Sequence, residues 1–404
     1  MIPTEQAAWA TEIERHLFEH ILPFWAGPAM EPEGRGWHSW LTHDLKPDPS
    51  RPRGLVLNTR ILWTFAAVHD RRPEALFHDR AEVALRWVRD RFWDAEHGGA
   101  FWHLDAAGRV RNDTKQIYGQ AFAVYAMTQY HLAFYAPEVL EQARTLYRLV
   151  DRHARDGRHG GYYEAFTRDW SARAVSLVGG QELGAAKSMN TNLHVLEAWT
   201  TLYQAWPEPE LASRLRELLV LFLEKILNRR TGHLEHYFAE DWRVLSDSYT
   251  YGHDIEASWL LCEAAEALGD AELRKRAGAA AVQMAAAVES EALGRDGGVA
   301  YEGREGRVIH AHRDWWVQAE ALVGFLHAWR LSGHDRYFQA ARRVWGFIRD
   351  RVADAEYGDW HWRLDPAGRP DRSQPKVSEW KGPYHSARAC LEAVRRLTQP
   401  HGVS

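Results

Sequence analysis

The feature that most constrains the fold of this chain is an internal repeat. Six short stretches share one pattern, a turn followed by alternating aromatic and polar residues and then a second turn, which predicts a β-hairpin. A repeat at a near-constant period indicates one structural unit stacked on its neighbours. The copies, spaced 61 to 72 residues apart, are GRGWHSWLTHDLK from Gly34, HGGAFWHLDAAGRV from His97, HGGYYEAFTRDW from His159, TGHLEHYFAEDWRV from Thr231, DGGVAYEGREGRV from Asp296 and YGDWHWRLDPAGRP from Tyr357.

Between the hairpins the apolar residues recur at helical spacing, and each interval holds two helices. The helix that follows a hairpin is apolar almost all round, which is typical of an inner position, whereas the next helix carries charge along one face, which suits an outer layer. Six inner and six outer helices closed into a ring make an all-α fold, the (α/α)6 barrel, with the hairpins at one mouth. Because no linker interrupts the period, we expect a single domain over residues 1–404. The predicted helices span 4–23, 55–70, 73–93, 115–135, 137–155, 190–206, 208–227, 252–268, 270–290, 313–332, 335–352 and 380–398.

The inner helices of such a ring all run in the same direction, so their N-terminal ends meet at one mouth of the barrel. Helix N-termini are positive dipole ends, which favour an anionic intermediate. Polar and aromatic side chains occupy the first turns of these otherwise apolar helices. Capping and buried hydrogen bonds explain any single one of them, but less well so many at one mouth. We predict an active site formed by Arg60, Tyr118, Asn190, His194, His253, Glu256, Trp315, Trp316, Glu320, Trp380 and His385.

The spacing of the histidines indicates what this site does. His194 precedes Glu197 by three residues and His253 precedes Glu256 by three, so a carboxylate can hold the tautomer of each imidazole. His385 has an arginine at the same offset instead. An imidazole accepts and donates a proton near neutral pH. Two imidazoles on opposite sides of one carbon therefore form a two-base device for proton transfer.

Two other kinds of site are weighed against this one. Close imidazole pairs, His310 with His312 and His233 with His236, suggest a metal, but the sequence has no HExxH motif and no paired CxxC, so we predict no metal. A glycoside hydrolase stays open as an alternative, because such enzymes need only an acid and a base flanking the bond. The carboxylates near the mouth that keep it open are Glu182, Asp254, Glu256, Glu302, Asp314 and Glu320.

Charge and composition narrow the partners. The net charge is −5 and the two signs are interspersed, so no basic field attracts nucleic acid. No membrane span is expected, only Cys262 and Cys390 occur, and the N-terminus lacks a signal-peptide pattern, so we expect a cytoplasmic monomer. The 20 Trp residues suit stacking on sugar rings, which favours a small-molecule sugar as the partner.

Six segments carry a family resemblance that runs in order along almost the whole chain. They are NTRILWTF, KQIYGQAFAVYA, KSMNTNLHVLEA, GHDIEASWLL, DWWVQAEALVGFL and WKGPYHSARACLE. With them the chain resembles the cellobiose 2-epimerases of the N-acylglucosamine 2-epimerase superfamily. The resemblance implies reversible epimerisation, without a cofactor, at C2 of the reducing-end glucose or mannose unit of β-1,4-linked disaccharides such as cellobiose and lactose.

The resemblance also implies roles for the predicted site residues. His253 and His385 would be the acid/base pair at C2, and His194 would assist ring opening and bind the open-chain sugar. The other residues would fall into two groups. Arg60, Tyr118, Asn190, Glu256 and Glu320 would bind hydroxyls or stabilise a cis-enediolate, and Trp315, Trp316 and Trp380 would stack on sugar rings.

Two departures from the family pattern bear on the substrate. Asn192 stands where the family commonly has the first histidine of N-T-H-x-H, and the first hairpin starts with GRGW where His-Gly-Gly is usual. Relatives that act on free mannose, or that interconvert mannose and ketose sugars, resemble this pattern too and are the alternative. We expect a disaccharide, because Trp380 and the hairpin residues Trp37 and Trp40 offer more stacking surface than one ring covers.

Overall fold

Twelve long helices make up most of the chain in the computed structural model, which describes residues 4–399. Four of them, all outer helices, end or continue through a π-helical turn. The helices are α1 (Thr4–His16, continued by Leu17–Ile21 and Leu22–Ala26), α2 (Leu55–Arg71), α3 (Ala75–Arg86, continued by Trp87–Arg91), α4 (Ile117–Phe134), α5 (Pro137–Ala154), α6 (Met189–Ala205), α7 (Pro209–Leu221, continued by Phe222–Ile226), α8 (Tyr251–Leu268), α9 (Ala271–Glu291), α10 (Trp315–Ser332), α11 (Asp335–Phe347, continued by Ile348–Val352) and α12 (Tyr384–Thr398).

The even-numbered helices form the inner ring. Each packs against the next in the order α2, α4, α6, α8, α10 and α12, and α12 returns to α2. Every residue of α4 from Ile117 to Thr128 is buried, as expected of a helix enclosed on several sides. The outer helix α5 instead buries one stripe that includes Val139, Ala143 and Val150 and leaves its charged face to solvent. The predicted (α/α)6 barrel is confirmed.

The strands are short and lie where the hairpins were predicted. Each hairpin closes by antiparallel pairing. The pairs are Leu41 with Pro47, His103–Leu104 with Val110–Asn112, Phe166 with Arg173, Phe238 with Val244, Glu302–Arg304 with Arg307–His310 and Leu364 with Pro370. The strands are β1 Arg53–Gly54, β2 His103–Leu104, β3 Val110–Asn112, β4 Lys115–Gln116, β5 Ala165–Phe166, β6 Lys187–Ser188, β7 Leu227–Asn228, β8 His233–Leu234, β9 Tyr237–Phe238, β10 Tyr249–Thr250, β11 Glu302–Arg304, β12 Arg307–His310, β13 Arg313–Asp314 and β14 Arg363–Leu364.

These strands also join one repeat to the next. The two residues before an inner helix pair with the hairpin of the following repeat, as β1 with β2, β4 with β5, β6 with β9, β10 with β11 and β13 with β14. The sixth contact of this kind is the bridge between Leu41 and Val377, which joins the first repeat to the last. The hairpins therefore form a closed collar around the N-terminal ends of the inner helices.

The predicted helix spans agree with the structure to within four residues at each end. The last inner helix begins at Tyr384 and not at residue 380, because Gly382 and Pro383 interrupt the helix and Pro383 takes the capping position. Residues 115–116 and 313–314, predicted as helix, are the strands β4 and β13. Among the described helices, none is long and apolar enough to cross a membrane.

Candidate active site

A cavity of about 280 Å³ opens at the mouth of the barrel, where the N-terminal ends of the inner helices meet. Ten of the eleven predicted site residues line it, and Glu320 lies beneath them in contact with His385. The structure thus brings the whole predicted set together. The lining residues are Arg60, Tyr118, Val178, Asn190, His194, His253, Glu256, Tyr301, Asp314, Trp315, Trp316, Trp362, Arg363, Trp380 and His385.

His385, near the start of α12, is held by a buried carboxylate. Its Nδ1 lies 2.7 Å from Oε1 of Glu320 on α10. Burial lowers the pKa of His385 to about 3 against the opposing effect of Glu320, so the imidazole is neutral at pH 7. A carboxylate accepts only, so Nδ1 carries the proton and Nε2 keeps a free lone pair. His385 is therefore poised to accept a proton.

His194 on α6 has the partner that its spacing predicts. Its Nδ1 lies 2.8 Å from Oε2 of Glu197. The ring is buried against Tyr118 in an edge-on contact with 5.0 Å between centroids. Burial lowers the pKa of His194, again against the opposing effect of its carboxylate.

His253 on α8 does not have the predicted partner. Its Nδ1 lies 2.5 Å from the Oγ1 hydroxyl of Thr250, and Glu256 turns away to another group. Burial, followed by the neighbouring imidazoles of His236, His194 and His385, holds its pKa well below the usual value. Because a hydroxyl both donates and accepts, it fits either protonation state of this imidazole. The two proposed proton-transfer histidines thus have different partners.

Arg388, one turn after His385, is the centre of the polar network beneath the cavity. Its guanidinium donates to the carboxylates of Glu197, Glu256 and Glu320, and all four side chains are buried. One cation therefore serves three carboxylates brought from three different helices. Sequence reasoning noted this arginine only by its offset from His385 and missed its role, since its partners lie up to 191 residues away.

Because one arginine contacts three carboxyl groups, the pKa values of these groups shift in different directions. Burial acts to raise the pKa of Glu320, but Arg388 and the hydrogen-bonded His385 together lower it to about 2. Burial and the charge of Glu320 raise the pKa of Glu256 to about 8. At neutral pH Glu256 is mostly a neutral carboxylic acid, which is able to donate a hydrogen bond.

Arg60 on α2 places a positive charge at the cavity wall. Its guanidinium donates to the backbone oxygen of Trp380 and to the hydroxyl of Tyr118, both at 2.9 Å. Three lining residues each carry a solvent-shielded polar atom without a hydrogen-bond partner among the described residues: Arg60 Nε, Asn190 Oδ1 and Trp315 Nε1. Such atoms are costly when left unsatisfied, and the hydroxyls of a polar ligand are suitable partners for them.

Aromatic rings form the rest of the wall. The centroid of the Trp316 ring lies 4.8 Å from that of His253 and 5.9 Å from that of His385, so both histidines flank one indole. Sequence reasoning missed Tyr301 and Trp362, which also line the cavity. The repeat carries a signal for them, because each stands four residues after a glycine at the start of its hairpin, Gly297 for Tyr301 and Gly358 for Trp362.

Two expectations about the outer edge of the site, the stacking roles of Trp37 and Trp40, are wrong. Trp37 is fully buried, and its indole N–H donates to the backbone oxygen of Trp25, while Trp40 packs against Arg51. Neither lines the cavity, because the first hairpin instead borders a separate open groove of about 960 Å³ outside the ring. Asn192 is also buried away from the cavity, with its amide clamped to the backbone of Tyr162. The departures from the family pattern therefore do not alter the cavity wall.

The structure also bears on the alternative kinds of site. His233 is bound by the carboxylates of Asp254 and Glu291, and Glu182 and Glu302 do not line the cavity. Glu256, Glu320 and His385 offer ligand atoms within 4.8 Å of one another, but the guanidinium of Arg388 already donates to both carboxylates. Both carboxyl groups nearest His385 therefore already have a cation as their partner.

Comparison with known proteins agrees with the fold. A cellobiose 2-epimerase of Bacteroides fragilis is 38% identical to this chain over 95% of the chain and 98% of the relative. The structure of a cellobiose 2-epimerase from Spirochaeta thermophila superposes with a TM-score of 0.89 and 39% identity, covering 98% of each chain. A D-mannose isomerase of Marinomonas mediterranea is more distant, 25% identical over 96% of the chain and 98% of the relative.

The fold and these relatives define the class of protein to which the chain belongs. It is an enzyme of the isomerase class with an (α/α)6 barrel fold. The sequence pattern of one family matches residues 36–389. The chain belongs to the N-acylglucosamine 2-epimerase (GlcNAc 2-epimerase) family.

Proposed function

We propose that this enzyme inverts C2 of the reducing-end glucose or mannose unit of β-1,4-linked disaccharides such as cellobiose and lactose. The observation that carries the proposal is the pair of neutral imidazoles, His253 and His385, on two different helices around one cavity that also holds Arg60. Inversion at a carbon next to a carbonyl needs a base on one face, an acid on the other and a positive charge beside the oxygens.

The proposed reaction begins with the ring-closed sugar. His194 assists transfer of the proton from the O1 hydroxyl to the ring oxygen, and the C1–O5 bond breaks to give the open-chain aldehyde. The Nδ1 contact with Glu197 fixes the imidazole for this task. Tyr118 and Asn190, which line the same wall, bind hydroxyls of the open chain.

The second step moves one proton at C2. An imidazole takes the C2 proton from one face, and the electron pair moves into a cis-enediolate. The other histidine, which has first taken up a proton from water, delivers it as imidazolium to the opposite face, and the first histidine then returns its proton to water. His385 and His253 exchange these roles between the two directions of the reaction. Glu320 is a positioning residue, because it acts through its hydrogen bond to His385.

The enediolate is stabilised by charge and hydrogen bonds already in place. Arg60 supplies a cation at the wall, Glu256 supplies the proton of a neutral acid, and the N-terminal ends of the inner helices add positive dipole ends. Trp315, Trp316 and Trp380 offer ring faces for stacking on the sugar. The hydrogen moves as a proton, so the proposed chemistry requires no cofactor and no metal.

The second candidate substrate is free mannose, either as a 2-epimerase substrate or in exchange with a ketose. It is supported by the D-mannose isomerase relative, but at 25% identity against 38% for the cellobiose 2-epimerase relative. Comparing kcat/KM for cellobiose and mannose decides between them. We expect the disaccharide to be preferred, and a ratio that favours mannose would move the chain to the monosaccharide branch.

The roles of the histidines are tested by substitution. His253→Ala, His385→Ala and His194→Ala should each fold and lose epimerisation, because each removes a proton-handling group from the cavity wall. His310→Ala, on the exposed strand β12, is the matched control and should keep wild-type turnover. Near wild-type turnover of His253→Ala or His385→Ala contradicts the two-base assignment, and release of glucose from cellobiose points to a glycoside hydrolase.

We further propose that residues 1–404 form one domain, that the enzyme is a monomer and that it works in the cytoplasm on a small-molecule sugar. The bridge between Leu41 and Val377 supports a single closed ring. The net charge of −5 supports the absence of a nucleic-acid partner. Size-exclusion chromatography with light scattering checks the monomer.

A further inference from the structure

A buried ion pair recurs behind the hairpins. In three repeats an aspartate that follows an outer helix accepts backbone N–H donors with one carboxylate oxygen and a lysine ammonium with the other. The lysine comes from the segment that leads into the next inner helix. The pairs are Asp94 with Lys115 at 2.9 Å, Asp156 with Lys187 at 2.6 Å and Asp354 with Lys376 at 2.5 Å.

The first of these pairs includes a second cation. Arg168, from the neighbouring hairpin, places its Nε 2.9 Å from the same Oδ2 of Asp94 that binds Lys115. Its guanidinium also packs against the ring of Phe101. One carboxylate oxygen in this architecture thus accommodates a lysine and a further positive group at once.

The seam between the last and first repeats has the same geometry but different side chains. In the first hairpin Thr42 donates to Asp44 at 2.6 Å and Leu45 has φ of 62°, as Thr167 donates to Asp169 at 2.7 Å and Trp170 has φ of 63° in the hairpin of Arg168. The residue between threonine and aspartate, which is Arg168 in one hairpin, is His43 in the other.

The position of Phe101 is also occupied by a histidine at the seam. Phe101 follows Ala100, which pairs with Trp93. The equivalent residue at the seam is His361, because it follows Trp360, which pairs with Ala353 in the same way. At the seam the arginine and the phenylalanine are therefore both replaced by histidine. The two imidazoles stack with 5.3 Å between their centroids.

Both histidines present an unused nitrogen. Nε2 of His43 and Nδ1 of His361 are shielded from solvent and have no hydrogen-bond partner among the described residues. Ligand atoms of His43, Asp354 and His361 all lie within 4.8 Å of one another.

We propose that His43, Asp354 and His361 bind one divalent transition-metal ion, with Zn²⁺ as the best match. Two imidazole nitrogens and one carboxylate oxygen are a donor set that suits zinc, with water completing the coordination. The ion lies beside Asp354 at the position that corresponds to that of the Arg168 guanidinium beside Asp94. It shares the carboxylate of Asp354 with Lys376. It joins the first hairpin to the last repeat and is separate from the catalytic cavity.

Isothermal titration of chelator-treated, desalted protein with Zn²⁺ tests this site. The wild type should bind one equivalent, and His43→Arg and His361→Phe should each weaken binding at least about 100-fold, since loss of groups that only orient a ligand already costs up to that much. Both substitutions install the residues that stand at the equivalent positions around Asp94, so both proteins should fold. Without zinc, His43→Arg should melt no lower than the wild type, because its guanidinium supplies the missing cation.

Two controls locate the bound ion. His310→Gln removes the exposed member of the neighbouring pair His310 and His312, and His385→Gln removes the imidazole that lies near two carboxyl groups in the cavity. Both should keep the wild-type zinc affinity. Zinc binding that survives His43→Arg, that is lost in either control, or that is absent from the wild type overturns the proposal. These readouts do not depend on catalysis, so they stand apart from the proposed epimerisation.

Discussion

The protonation state of Glu256 predicts the alkaline side of the pH profile. Glu256 is wholly buried, and its pKa of about 8 results from burial and from the charge of Glu320. The acid form donates a hydrogen bond to the enediolate, so activity is present below the pKa and is lost as the pH rises through it. Roughly 90% of this carboxyl is protonated at pH 7 and roughly 10% at pH 9, so kcat/KM should fall about tenfold between them.

Glu256→Gln removes this titration and keeps a neutral donor. Its kcat/KM for cellobiose should lie within about tenfold of the wild type at pH 7, since one hydrogen bond is exchanged for another, and should stay level to pH 9. Glu263→Gln, on the same helix outside the cavity, is the control and should keep the wild-type fall. Titration of Tyr118 or Tyr301 does not explain a fall in kcat/KM between pH 7 and pH 9, because burial raises the pKa of each to about 12. A wild-type profile that is level to pH 9, or an unchanged fall in Glu256→Gln, refutes the reasoning.

Three further predictions follow from the network around the cavity. Arg388→Met leaves three buried carboxyl groups without their cation, which should lower the free energy of unfolding by about 3–5 kcal/mol and Tm by about 4–6 °C for a chain of this length. A decrease in the free energy of unfolding below about 1 kcal/mol, measured by calorimetry, would contradict the role of this arginine. Thr250→Val removes the hydroxyl on His253 and should lower kcat about 10- to 100-fold with little change in KM, whereas Thr250→Ser should restore it; equal activity of the two variants counts against this contact. Exhaustive chelation should leave epimerisation at 25 °C unchanged, because the reaction moves a proton between imidazoles, and a loss that a divalent ion restores would show otherwise.

The barrel could be predicted from the sequence because its cause is periodic. Each hairpin and each apolar helix recurs, so the number of helices and the shared direction of the inner ring follow from the repeat, and the structure confirms both. The contents of the mouth follow in turn, because Arg60, His253 and His385 all stand near the starts of inner helices. Prediction is strong here because a single rule places every repeat.

Partners across the barrel could not be predicted in the same way. Spacing on one helix correctly pairs His194 with Glu197, but it wrongly pairs His253 with Glu256. The carboxyl of Glu256 bonds instead to Arg388, 132 residues away, because a buried carboxyl gains more from a cation than from a neutral ring. Competition among groups on different helices decides such contacts, and it depends on three-dimensional distance.

Aromatic content likewise did not identify which rings meet the substrate. Trp37 was expected to stack on a second sugar ring, but it fills the core behind the first hairpin. Trp362 lines the cavity in its place, from the hairpin of the last repeat. A tryptophan in a hairpin faces the mouth or the core according to its register, which composition does not reveal.

The central claim, proton transfer at C2 between two imidazoles, is tested most directly by running the reaction with cellobiose in D2O and locating deuterium in the product by NMR. The account predicts a disaccharide with a reducing-end mannose that carries deuterium at C2, with no such product from His253→Ala or His385→Ala. An aldose–ketose isomerase would exchange the same hydrogen but accumulate a ketose. An epimerised product with only protium at C2 would contradict the account.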